Sequence, residues 1–217
     1  MAETNRPFLS VIMTAHDEAE ALERNLPLFL AQQGQHTCEV IVVDDASSDD
    51  TPDVLKRLKA QYPQLYTTFI PKSVPNPCRQ RLALTIGAKA AKGEWIAVAS
   101  ILRPPHTEGA LEGMVQLANN QGEQVAMLYS GRKEGTMTVF QSWATLDDAA
   151  PLLRKAERRS GKGHRGRWFK RWRGLYDTVA VRRDDIHNLL KFYEQKISGR
   201  RLTGLRLHVL WKTLQNN

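Results

Sequence analysis

Short apolar runs that alternate with amphipathic helical patterns are the feature that most constrains the fold of this chain. The clearest runs are residues 9–14, 40–43 and 95–99. Mainly apolar runs of this length are typical of strands that are buried on both faces. Parallel strands need crossover connections, which are usually helices. The pattern from residue 9 to 129 therefore predicts an α/β fold with a mainly parallel central sheet and helices on both faces.

Local signals place the ends of the helices. Asp17 and Glu18 predict the first turn of a helix after the first strand, because acids stabilise helix N-termini, and Pro27 predicts a kink or break in that helix. Thr51 is predicted to cap the second helix and Gly93 to cap the C-terminus of the third. The further predicted strands are 66–70, 125–129, 138–143 and 176–181, and the further predicted helices are 79–91, 107–117, 147–158, 184–194 and 202–214.

Length and composition predict a single soluble domain over residues 1–217. The chain has 41% hydrophobic residues, enough for one core without metal or disulfide support. Cys38 and Cys78 lack metal-ligand spacing and are predicted to be free thiols. No segment approaches the roughly 20 apolar residues of a membrane span, and residues 1–8 are too short and polar for a signal peptide. We expect a cytoplasmic protein.

Asp44 and Asp45 directly follow the apolar run 40–43. They are therefore predicted at the carboxyl end of a buried strand, the edge where open α/β sheets bind ligands. A carboxylate there can accept a hydrogen bond from a base N–H or a ribose hydroxyl. The alternative is structural, because Asp45 or Asp49 can also cap a turn.

Three ordered segments resemble the inverting family 2 glycosyltransferases, which have the GT-A fold. Residues 10–18 are similar to the family's opening strand and A-[YH]-N-E turn, with Asp17 in the place of Asn. Residues 42–51 resemble the V-D-D-x-S-x-D-x-T signature, and residues 82–96 resemble the helix and strand before the family's D-x-D. Three matches in order are more specific than one short motif.

The resemblance implies a nucleotide-sugar site of the UDP or GDP type. In the family, the acid at the position of Asp44 and Asp45 holds the base and ribose, and Ala15, Asp17 and Glu18 belong to the adjoining turn. On this basis residues 1–129 are predicted to be a nucleotide-binding half, and residues 130–217 a degenerate acceptor-side half.

The position of the family's D-x-D is occupied by Ser100-Ile101-Leu102. In the family these carboxylates hold Mn²⁺ or Mg²⁺, which neutralises the departing diphosphate. Apolar side chains cannot bind a hard cation, and one hydroxyl does not replace two charges. We therefore expect no metal cofactor and no metal site.

No residue is assigned as the catalytic base. Asp184 and Asp185 follow a predicted strand, where acids commonly cap a helix, and this role is favoured. His208 is a weaker candidate, because a histidine in an apolar helical segment is more often structural. Segment 202–210 contains no carboxylate.

A strongly basic segment at 154–173 has ten Lys or Arg and a single acid, within a chain of net charge +8. This indicates an anionic partner. Arg165, Arg167 and Trp168 are candidates for contact with a diphosphate or with an anionic membrane surface. Binding of nucleic acid is less favoured, and a solvated loop without a ligand remains the alternative.

Two functional hypotheses follow. The first is a family 2 glycosyltransferase by ancestry, weak or inactive because the D-x-D and the base are missing. The alternative is a pseudoenzyme, that is, a noncatalytic binding or scaffold module at the cytoplasmic membrane face or with other transferases. The chain has no P-loop, H-E-x-x-H or G-x-S-x-G motif and no G-x-G-x-x-G after the first strand, which argues against NTPases, zincins, α/β-hydrolases and dinucleotide dehydrogenases.

Overall fold

The computed structural model describes residues 7–32, 36–72, 79–129, 139–149 and 178–191. Its strands form one sheet in the order β3-β2-β1-β4-β7-β5-β6. Strands β1 to β4 are parallel neighbours, whereas β7 is antiparallel to β4 and β5, and β6 is antiparallel to β5. The strands are β1 Leu9–Ala15, β2 Cys38–Asp44, β3 Leu65–Phe69, β4 Trp95–Ala99, β5 Val125–Tyr129, β6 Val139–Trp143 and β7 Thr178–Arg182.

Helices cover both faces of this sheet. Side chains alternate along β2, so that Val40 and Val42 pack on the face covered by α1, α2 and α4, whereas Ile41 and Val43 pack on the face covered by α3 and α5. The predicted mainly parallel α/β architecture is confirmed. The helices are α1 Ala19–Leu30, α2 Thr51–Gln61, α3 Arg79–Ala90, α4 Ala110–Asn120 and α5 Ile186–Lys191, which follows a 3₁₀ turn at Arg183–Asp185; residues 146–149 form a helical turn.

The predicted break at Pro27 is wrong, because α1 runs without interruption through Pro27 to Leu30. The carbonyl of Pro27 accepts a hydrogen bond from the N–H of Ala31 at 2.8 Å. Leu26 and Phe29, before and after the proline, are both buried against the sheet. Packing on both sides of the proline outweighs the one backbone bond that proline removes.

The prediction that Asp17 and Glu18 form the first turn of α1 is wrong, because both residues precede this helix. Glu18 is the N-cap residue, and Asp17 lies in the preceding turn. Thr51 is the first residue of α2 rather than its cap, which is Asp50. Gly93 is not a left-handed C-cap, since its φ is not positive. A Cβ at this position would lie 2.6 Å from the backbone nitrogen of Ser10, so glycine is needed for close approach to β1.

Part of the prediction lies outside the described residues. This applies to Cys78, to the rest of the helix predicted from 147, and to the predicted helix at 202–214. Cys38 is a free thiol, and burial raises its pKa to about 12.

Two helical glycines give a matched test of how closely α3 approaches the sheet. A Cβ at Gly87 would overlap the Cγ2 methyl of the buried Ile12, whereas a Cβ at Gly113 in α4 would meet only the ring edge of Phe140 at an ordinary 3.5 Å. Alanine favours a helix over glycine by about 1 kcal/mol, but overpacking a core costs about 1–3 kcal/mol.

We expect Gly87→Ala to lower the free energy of unfolding and Gly113→Ala to leave it unchanged or raise it, as measured by urea denaturation. Equal effects of the two substitutions would contradict the close packing of α3 on β1.

Candidate functional site

The strand order places a switch point, the usual position of a ligand-binding crevice in such sheets, between β1 and β4. The chain leaves β1 toward β2 and β3, and then returns to β4 on the other side of β1. This reversal is a topological switch point, and ligands of open α/β sheets bind outside the carboxyl ends of the strands at such a point. The crevice is therefore flanked by residues 15–18, after β1, and residues 100–103, after β4. The loop 45–50, after β2, lies next to residues 15–18.

Backbone hydrogen bonds join the loops after β1 and β2. The N–H of Asp45 donates to the carbonyl of Ala15 at 2.7 Å. Nδ1 of His16 lies 2.7 Å from the carbonyl oxygen of Asp45, and the N–H of Asp17 donates to the hydroxyl of Ser47 at 3.0 Å. Asp17 and Ala46 have positive φ values of 50° and 56°. These contacts hold both loops in a backbone conformation that L-residues rarely adopt.

The carboxylate of Asp17 organises the loop after β2. Its Oδ1 accepts hydrogen bonds from the N–H of Ser48 at 2.6 Å, from the hydroxyl of Ser48 at 3.2 Å and from the N–H of Asp49 at 3.3 Å. The bond from the Ser48 N–H is the main cause that lowers the pKa of Asp17 below its ordinary value. Asp17 therefore shapes the site through the backbone of the loop.

Asp49 caps two helices at once. One of its oxygens accepts from the N–H of Ala19, the first residue of α1, at 3.1 Å, and the other accepts from the N–H of Thr51 at 3.0 Å. In return, the Thr51 hydroxyl accepts from the N–H of Glu18 at 3.0 Å. Burial raises the pKa of Asp49, but the hydrogen bonds from Thr51 and Ala19 outweigh it and lower the pKa overall. For Asp49, the structural alternative of a capping residue holds.

Asp44 and Asp45 differ in what they bind. Asp44 is almost fully buried, with 7% of its surface exposed, and its Oδ1 accepts from the N–H of Ser47, three residues on, at 3.0 Å. Asp45 has 19% of its side chain exposed and pairs with Nε of Arg79, the first residue of α3, at 2.6 Å. Asp45 is therefore a partly exposed carboxylate that is held in place from α3.

The turn after β4 is closed and anchored. The N–H of Arg103 donates to the carbonyl of Ser100 at 2.9 Å. The buried amide of Asn25 in α1 donates to the carbonyl of Ile101 at 2.8 Å. The Ile101 side chain is buried in the core, and Leu102 is 37% exposed.

This turn does not fit a divalent cation. Hard cations need several oxygen ligands, with carboxylates prominent among them, and the only side-chain oxygen of the turn is the Ser100 hydroxyl, which already accepts from the N–H of Leu102. Throughout the described ranges there is no group of three or more His, Cys, Asp or Glu side chains that could hold a metal ion.

Asp184 and Asp185 lie at the opposite edge of the sheet from the crevice. They follow β7, whose last residue, Arg182, pairs with Trp95 at the start of β4. The carboxylate of Asp185 accepts from the amide of Asn188 at 3.3 Å. Both residues lie in the 3₁₀ turn Arg183–Asp185 before α5, and their capping role stays a prediction.

Two contributors to the site were missed by sequence reasoning. Asn25 lies on the buried face of α1, between Leu22 and Phe29, and a buried amide in an apolar helix face was a usable signal. Arg79 had no comparable signal, because its pairing with Asp45 depends on the position of α3. The candidates Arg165, Arg167, Trp168 and His208 lie outside the described residues. Within the described part of the chain, no helix is both long and apolar enough to cross a bilayer.

Acid is expected to loosen the joined loops. The lowered pKa values of Asp17 and Asp49 mean that both carboxylates stabilise the fold at pH values above the ordinary value of 3.8, and that this stabilisation is lost as the pH falls through the folded-state values. We expect the free energy of unfolding to decrease below about pH 4 and the Asp17→Asn/Asp49→Asn variant to show a weaker decrease. Denaturation series from pH 7 to pH 3 measure this, and identical slopes would contradict the assignment.

Parts of this chain are similar to known proteins. Residues 10–100 match the model of glycosyl transferase family 2. The succinoglycan biosynthesis protein ExoO of Rhizobium meliloti is 29% identical over 134 residues, which cover 56% of this chain and 32% of ExoO. An uncharacterised protein of Mycobacterium tuberculosis is 29% identical over 96 residues, which cover 42% of this chain and 25% of that protein. The chain thus spans about a quarter to a third of the length of these relatives.

A solved structure shows the same fold. The mannosyltransferase PcManGT of Pyrobaculum calidifontis, in complex with GDP-Man and Mn²⁺, superposes with a TM-score of 0.55 at 21% sequence identity. The superposition covers 86% of this chain and 47% of that protein. The sheet and its helices therefore have the GT-A fold that the sequence predicted.

Proposed function

We propose, from the match of residues 10–100 to the model of glycosyl transferase family 2, that the chain binds a nucleoside diphosphate sugar at the crevice between β1 and β4. The observation that carries the proposal is Asp45. It is a carboxylate at the carboxyl end of β2, partly exposed and fixed by Arg79. In that state it can accept a hydrogen bond from a base N–H or a ribose hydroxyl.

The neighbouring acids prepare this site without needing to touch the ligand. The carboxylates of Asp17 and Asp49 accept hydrogen bonds from backbone N–H groups, and the carboxylate of Asp44 accepts from the N–H of Ser47 within the loop after β2. A site whose loop is already in its bound conformation loses less entropy on binding. Ala15 and Glu18 contribute through their backbone, which accepts from Asp45 and donates to Thr51.

The donor is bound without a divalent cation, as the side chains of the turn at Ser100–Leu102 support. PcManGT was solved with Mn²⁺. Here the apolar side chain of Ile101 is buried in the core, and Leu102 takes the position of the second acid of the family's D-x-D. The binding site would then distinguish UDP from GDP through the base, with the phosphates neutralised by protein side chains.

Glycosyl transfer itself is the activity that ancestry supports. A noncatalytic donor-binding module is the second candidate, favoured by the same turn, because the family's metal ligands are replaced there by Ser100 and Leu102. In either case the protein would work on the cytoplasmic side, with Arg165, Arg167 and Trp168 available to an anionic membrane surface or to the diphosphate.

Titration calorimetry with UDP, GDP and their sugars, in Mn²⁺ and in EDTA, tests the proposal. We expect one nucleotide to bind with the same affinity in both buffers. Binding that requires Mn²⁺ would overturn the metal-independent site, and no binding of any nucleotide would overturn the proposed function. Chromatography is used to detect free sugar released from the bound donor. Release indicates a transferase, and no release indicates a binding module.

A further inference from the structure

The turn after β4 places the backbone of Arg103 beside the switch point. Its last residue, Arg103, is bonded through its N–H to the carbonyl of Ser100 at 2.9 Å. The ends of such a turn lie within about 7 Å of each other between Cα atoms. The Cα atom of Arg103 therefore lies close to the Cα atom of Ser100, which flanks the switch point.

The turn cannot easily move away from this place. The buried amide of Asn25 holds the carbonyl of Ile101 at 2.8 Å, and the Ile101 side chain is 2% exposed. Rotating the turn would break a buried hydrogen bond and expose a core side chain, and both changes are unfavourable. The backbone of Arg103 is thus fixed relative to α1 and β4, while Arg103 itself is only half-buried.

The charges around the crevice call for such a cation. The segment after β1 is His16-Asp17-Glu18, and the segment after β4 is Ser100-Ile101-Leu102-Arg103. Of these seven described residues, only Arg103 has a permanent positive charge, and the guanidinium of Arg79 on α3 is paired with Asp45. A diphosphate brings further negative charge to this acidic edge, and without a counter-charge its desolvation is unfavourable.

We propose that Arg103 binds the diphosphate of the ligand and takes over the neutralising role of the divalent cation. Guanidinium suits this role, because its planar fork can donate two parallel hydrogen bonds to phosphate oxygens and stays charged at every physiological pH. This inference rests on the proposed function, since it assigns the phosphate-binding group of the same site. The inference assigns the positive charge that neutralises the diphosphate to the turn after β4 and not to the basic segment at 154–173.

The test compares a nucleoside with its diphosphate. In EDTA, the affinity of wild-type protein and of Arg103→Gln is measured by calorimetry for UDP and uridine, or for GDP and guanosine if that nucleotide binds. We expect Arg103→Gln to weaken the diphosphate about tenfold or more, and to leave the nucleoside unchanged. Arg103→Lys keeps the charge without the fork and is expected to retain part of the difference. Arg57→Gln is the matched control, because Arg57 pairs with Glu23 between α2 and α1.

The outcomes separate this inference from the function on which it rests. An equal loss for nucleoside and diphosphate in Arg103→Gln would show general damage to the site and overturn the inference, as would no loss for either. If the wild type binds the nucleotide and Arg103→Gln leaves the ratio of the affinities for diphosphate and nucleoside unchanged, only the inference about Arg103 fails. If the wild type binds neither ligand, the proposed function fails, and the inference fails with it.

Discussion

Replacing Gly93 by alanine is expected to lower the free energy of unfolding by roughly 3 kcal/mol or more. A Cβ at this position would lie 2.6 Å from the nitrogen of Ser10 and 2.9 Å from the carbonyl carbon of Leu9. Both atoms belong to the backbone of the central strand β1, so they cannot move aside as a side chain would. The connection between α3 and β4 would have to shift instead, although it is held to Ser10 and Arg183.

Those contacts explain why the shift is costly. The N–H of Gly93 donates to the Ser10 hydroxyl at 2.7 Å, and its carbonyl accepts from Nε of Arg183 at 2.9 Å. Moving the glycine leaves buried polar groups unpaired, which adds to the steric cost. Urea denaturation of Gly93→Ala against Gly122→Ala measures the effect. Gly122 has open space around it but a positive φ of 70°, so its substitution reports backbone strain alone. A smaller loss at Gly93 than at Gly122 would contradict this account.

Asp45→Asn is expected to weaken nucleotide binding by about tenfold to a hundredfold, because a hydrogen bond to a charged group contributes about 1.5–3 kcal/mol. The substitution keeps the shape of the side chain and removes its charge. Glu23→Gln makes the same chemical change on the exposed surface of α1 and is expected to leave the affinity unchanged. The Asp45 pair with Arg79 is partly exposed, so we expect a smaller effect on folding than on binding.

Much of the fold could be predicted because its signals are local. Each buried strand is a short apolar run, and the helices between strands have clear apolar faces, as Leu22, Leu26 and Phe29 in α1 show. The place of β7 between β4 and β5 could not be predicted in this way. It depends on pairing residues 178–182 with residues 95–99 and 125–128, and no local pattern encodes such distant partners.

The position of the site could be predicted more fully than the contacts that its side chains make. Acids after β2 indicated the carboxyl edge of the sheet, but the sequence did not distinguish their individual contacts. Asp49 caps both α1 and α2, and Asp17 holds the loop after β2, because these loops meet only in the folded chain. Arg79 became part of the site by the docking of α3. The roles of such side chains follow from partners more than 30 residues away in sequence.

The most direct test of a nucleotide site centred on Asp45 is the ratio of dissociation constants of Asp45→Asn and wild-type protein, measured by calorimetry in EDTA for whichever of UDP and GDP binds more tightly. We predict a ratio of about ten or more, with Glu23→Gln at wild-type affinity. A ratio near one, with the wild type binding the nucleotide, would place the ligand elsewhere and contradict the account.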